Sequence, residues 1–152
     1  MSEGGVGAQP ATPAILHRLL IIMTIGFAAI VAILAALGLV PLIAGDESQS
    51  VVVVAYIFAA IQTVMLVVTV AVLVPKVPRR RQGQSAEVYW ADTDSGPRLL
   101  MVWFLCEGAA TLGLVGFLLF GHPAPAIASA IAIAALVAYG PRRFMGSPFA
   151  SR

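Results

Sequence analysis

The chain has 152 residues, 60% hydrophobic and 11% charged, with a formal net charge of +2. A soluble domain carries about 25% charged residues, so the polar surface needed to face water is missing here, and a mean hydropathy of +0.96 points to an integral membrane protein. The positive charge does not imply a nucleic-acid partner, because the basic residues flank apolar runs instead of forming a stripe.

Residues 1–14 are small and polar and read as a flexible segment. They lack the basic start of a cleaved signal peptide, and the apolar run that follows is too long for one, so the first span is expected to stay in the mature protein. That run extends from Leu16 to Ala44, interrupted late by Pro41 and closed by the polar turn GDESQS with Asp46 and Glu47. A second run covers Val51 to Val74 and stops at Pro75 and Pro78. The third, Pro97 to Phe120, carries Glu107 near its middle, and the fourth, Pro123 to Gly140, is short, alanine-rich and closed by Pro141. About 20 apolar residues cross a ~30 Å hydrocarbon core, so the expected fold is an all-α polytopic bundle of four transmembrane helices. Residues 15–74 form one expected helical hairpin and 97–140 a second, with 141–152 as a tail. Arg18-Leu19-Leu20 and Arg98-Leu99-Leu100 open the two halves alike, which lets them be read as a duplicated hairpin.

All nine basic residues fall on one side of this arrangement: Arg18, then Lys76, Arg79, Arg80, Arg81 and Arg98, then Arg142, Arg143 and Arg152. The positive-inside rule puts that side, with both termini, in the cytoplasm of a cell inner membrane. The connection over 75–96 is basic in its first half, where Arg79, Arg80 and Arg81 would meet anionic headgroups or simply set topology. Tyr89 and Trp90 suit a membrane interface, and with the arginines they mark a candidate lipid or partner contact. Ser95 or Asp94 is a candidate cap for the third helix.

Glu107 lies nine residues beyond Arg98, about 14 Å deep and close to the midplane. A charge there costs at least ~2.5 kcal/mol, so the carboxyl is neutral, paired or in use. Gln62 falls about 16 Å from the opposite boundary, at a similar depth, and offers a hydrogen bond to Glu107; Thr111 and Thr24 are the other candidate partners. Gly108, Gly113 and Gly116 let neighbouring backbones approach closely, either within this bundle or against other subunits.

Cys106 is the lone cysteine, which excludes an internal disulfide, and it is expected to pack as a small apolar group. His17 and His122 are placed at opposite boundaries, so they do not clamp a haem, and His122 reads as a solvated turn residue. Trp103, Tyr56 and Tyr139 are expected as lipid-facing anchors or packing residues. No nucleophile with its base, paired carboxylates or phosphate-binding loop is visible, so neither catalysis nor a cofactor or metal is expected.

The run CEGAATLGLVGFLLFG resembles the second helix of the ring-forming proteolipid, subunit c, of rotary ATP synthases. The likeness rests on Glu107, Gly113, Leu114, Val115 and Leu118 to Phe120, over about 16 residues of the chain. It implies that Glu107 takes up and releases a transported proton or ion in an oligomeric ring. The preceding span holds no glycine, and its connecting loop is far longer than that family's short polar turn. The principal expectation is therefore a non-catalytic subunit or accessory protein of a larger inner-membrane complex, with lipids and other integral membrane subunits as its partners. An ion-carrying proteolipid is the alternative, and a small oligomeric transporter a further one.

Overall fold

The computed structural model describes residues 13–42 and 49–145. Most of the N-terminal segment, the turn with Asp46 and Glu47, and the end of the tail with Arg152 lie outside the described residues. Every element among the described residues is helical, which suits apolar chain in hydrocarbon, because a helix satisfies its backbone groups within its own segment.

Helix α1 runs Pro13–Ala36. It ends well before the expected Ala44, because Gly38 adopts φ 71° and closes it. The Gly38 amide donates to Ala35 O at 3.0 Å and the Leu39 amide to Leu34 O at 2.9 Å, a Schellman closure. Helix α2, Gln49–Val68, continues through a π turn, Thr69–Leu73, and a 3-10 turn, Val74–Lys76, so that helical chain passes through Pro75. Helix α4, Ser95–Phe120, ends at Gly121 with φ 68°. Pro41 packs on Gly121, and the Leu42 amide donates to Leu118 O at 3.1 Å, so the chain after α1 seals that end of α4. Helix α5, Pro123–Ala138, begins with proline in its first turn and His122 as its cap.

Two short helices occupy segments expected to be loop and tail. In α3, Ala86–Ala91, the Ser85 side chain caps the helix by accepting from the Val88 amide at 3.2 Å. The other, α6, is Pro141–Met145, directly after Gly140. Six and five residues are too few for hydrophobic periodicity to register.

Helix α4 is the centre. Helices α1, α2 and α5 all pack on it, α1 and α2 also touch α5, and α1 and α2 make little contact with each other. The buried face of α4 comprises Leu99, Val102, Trp103 and Cys106 and then the small residues Ala109, Ala110, Gly113 and Gly116. Helix α5 answers with Ala128, Ser129 and Ala132, so the two backbones approach closely, as small residues permit in lipid. Three helices are long and apolar enough to cross a membrane: Pro13–Ala36, Gln49–Lys76 and Ser95–Phe120. The 16 residues of α5 span only about 24 Å.

Candidate functional site

The polar groups inside the bundle fall into three sets. The first is local to α4. Thr111 Oγ1 donates to Glu107 Oε1 at 2.9 Å, an i,i+4 pair on one face. Both residues are half-buried, so the carboxyl in the middle of this span is only partly enclosed by its own chain.

The second set lies higher, where α2, α4 and α5 meet. Gln62 is fully buried, its Nε2 donates to Phe58 O at 3.0 Å, and its Oε1 has no hydrogen-bond partner. That oxygen occupies the space left by the missing side chain of Gly113. A Cβ there would overlap Gln62 Oε1 and stand 2.5 Å from Pro125 O and 2.7 Å from Ser129 Oγ. The Ser129 hydroxyl donates to Ala110 O and pins α5 to α4. Gly116 likewise makes room for Phe58 and Pro125, whereas Gly108 faces only Met65 Cε at 3.6 Å.

Of the three partners expected for Glu107, only Thr111 is engaged. Gln62 lies opposite Gly113 instead, because counting residues from each boundary ignores where the helices begin and how they cross. Thr24 Oγ1 donates to Leu20 O at 2.7 Å, and Thr63 and Thr69 bond their own preceding turns in the same way.

A third group, at the basic end of the bundle, was not anticipated. His17 is buried, its Nε2–H donates to Leu136 O at 2.9 Å, and its ring lies 4.6 Å from that of Trp103. Trp103 is fully buried and donates from Nε1 to Tyr139 O at 2.8 Å, so it is a core residue here and not a lipid-facing anchor. Trp90 lies tilted against Trp103 with ring centres 5.8 Å apart, and Tyr89 meets Trp90 edge-on at 5.9 Å. The Tyr89 hydroxyl donates to Pro78 O at 2.8 Å. Tyr89 is 1% exposed and so offers no surface to lipid or partner. Burial, and then the negative charge of Asp92, push its phenol above the usual value of 10.0. His17 and Trp103 lie within a few residues of Arg18 and Arg98 at the same end, and that common depth was the available signal.

Next to this cluster a cavity of about 680 Å³ has Arg79, Arg81, Gln84, Asp92, Asp94 and Ser95 among its lining residues. Arg79 and Arg81 are exposed, while Arg80 is half-buried and its Nε donates to Gln84 O. Asp94 stands at the N-cap of α4, but its side chain pairs with Arg98 at 2.7 Å instead of capping the helix amides. Ser95 Oγ donates to Asp92 Oδ2 at 2.6 Å. That bond, reinforced by the Asp94 amide, holds the Asp92 carboxyl below the usual carboxylate range. At the opposite end His122 is not merely solvated: its Nδ1 accepts from the Ala124 amide at 3.2 Å, and its ring lies 4.9 Å from Tyr56.

Among the described residues no three His, Cys, Asp or Glu side chains gather as a metal site would require. No family model matches the chain, and neither does any curated protein or solved structure.

Proposed function

We propose that the chain is a four-span membrane protein of a prokaryotic-type inner membrane, with both termini cytoplasmic. In this reading α5 is the fourth span, lying along α4 in a locally thinned bilayer. Its role is that of a non-catalytic subunit or accessory protein in a larger membrane assembly.

The observation that carries this reading is the position of Glu107. It lies near the middle of α4, half-buried, with Thr111 of its own helix as its hydrogen-bond partner. A polar group left towards hydrocarbon is expensive, and a helix from another subunit that covers it removes the penalty. Phe104 and Met101 continue the same side of α4 and are more than half exposed, which extends the face available to such a helix. Gly113 and Gly116 are filled by α2 and α5 of this chain, so they are not free for the glycine-to-glycine packing of a proteolipid ring.

Purification from native membranes in gentle detergent, followed by native mass determination, tests the proposal. The expected result is a fixed stoichiometry with unrelated chains, preserved in Glu107→Gln because an amide still bonds. A lone chain, or a closed ring of identical copies, overturns it.

A further inference from the structure

A second group of cations lines a concavity different from the one that holds Arg79 and Arg81, although the Arg80 amide in that loop donates to Phe144 O of α6 at 3.0 Å. A cavity of about 310 Å³ opens between the first turns of α1 and the junction of α5 with α6. Arg18, Arg142 and Arg143 surround it, with His17, Ile21 and Val137 among its walls, and its lining holds no carboxylate. Among the described residues Arg18 and Arg142 have no ion-pair partner, and Arg143 lies 4.7 Å over the ring of Tyr139.

Guanidinium groups gathered around one concavity repel one another, and an anion among them reverses the sign of that energy. Their planar forks match phosphate oxygens in pairs. The depth of the cavity narrows the choice of anion. It adjoins Tyr139, whose carbonyl accepts from Trp103 Nε1, and the His17 ring that packs tilted against Trp103. Amphipathic aromatics collect at the headgroup level of a bilayer. Ile21 and Val137 add apolar wall beside the arginines, as a molecule with a charged head and a greasy body needs. The volume lies within the roughly 300–1,000 Å³ of ordinary ligand sites.

We propose that this cavity binds the phosphate of an anionic phospholipid, held by Arg18, Arg142 and Arg143 at the basic end of the bundle. The lipid bridges α1 to α5 and α6 there. This site is separate from the partner-facing side of α4 and does not depend on the assembly.

The test uses the purified full chain, stripped of lipid in mild detergent and titrated with phosphatidylglycerol or phosphatidylcholine, with bound lipid read by native mass. Phosphatidylglycerol is expected to be retained in preference to phosphatidylcholine. Affinity should fall about fivefold for each arginine changed to glutamine, and on the order of a hundredfold for all three. Arg79→Gln with Arg81→Gln should leave it unchanged. Circular dichroism checks that the triple variant keeps its helices; if it does not, the single Arg142→Gln decides, since that side chain is exposed. Equal retention of both lipids, or undiminished phosphatidylglycerol binding without the arginines, overturns the proposal. Displacement of phosphatidylglycerol by inorganic phosphate overturns the lipid and assigns the site to a free anion.

Discussion

Helices α1 and α4 are of similar length, 24 and 26 residues, yet they meet opposite surroundings. Over its apolar stretch α4 is 44% buried inside the chain, against 17% for α1 and for the helical chain Gln49–Lys76. The most buried helix is also the least apolar of the three. In water that ranking would be reversed. In lipid there is no hydrophobic drive between helices, so the interior is chosen for small size and for hydrogen bonding, and the longest aliphatic side chains face the acyl chains. Ile22, Met23, Ile30 and Ile33 of α1 are each more than half exposed, while α4 buries Ala109, Ala110, Gly113 and Gly116.

The sharpest way to break this contrast is to add one methyl group to each helix. Gly113→Ala would push a Cβ against the Pro125 and Gln62 oxygens, and overpacking of this kind costs about 1–3 kcal/mol, or more where backbone must move. Gly26→Ala meets nothing within 4 Å and should be neutral or stabilising by up to ~1 kcal/mol. Thermal unfolding in a single detergent compares the two, and equal behaviour would dissolve the distinction between core and lipid-facing helices.

A smaller effect is expected at the basic end. Trp103→Phe removes the bond to Tyr139 O and leaves a small gap where the larger indole packed, at about 1–3 kcal/mol together. Phe104→Leu, on the exposed side of the same helix, should leave the melting temperature of the isolated chain unchanged. Gln62 sharpens the comparison from within α2. Its Oε1 is buried without a partner and its Nε2 bonds only its own helix, so Gln62→Met should leave stability equal or raised. A marked loss in the same melting assay would show that the amide makes a contact of real weight.

The least effect belongs to the Asp92–Ser95 pair, outside the spans. The folded carboxyl titrates below its unfolded value, so its stabilisation is complete above the ordinary carboxylate range near 4 and fades as pH falls through the folded value. Ser95→Ala removes the principal cause, and the acid limb of a stability-against-pH curve should flatten slightly.

The features legible in the sequence were those confined to one helix. Three long apolar runs became helices, and Glu107 with Thr111 is an i,i+4 pair that spacing alone exposes. The end of α1 was misplaced because apolar residues continue through Leu39 to Leu42, whereas the stop lies in the dihedral of Gly38. Cross-helix partners were the least accessible. Depth alone pairs Gln62 with the wrong residue, and the run of ring contacts from His17 through Trp103 and Trp90 to Tyr89 joins residues of α1, α4 and α3. Those contacts depend on helix crossing and on a six-residue helix, neither of which leaves a period in the chain.

The account turns on what covers the side of α4 that bears Glu107. A photoreactive amino acid in place of Phe104, one turn before Glu107 on the same side, would report this in native membranes. The account predicts a crosslink to a different polypeptide, of defined mass and recovered at constant ratio. Adducts with lipid alone would contradict it and leave Glu107 facing the bilayer.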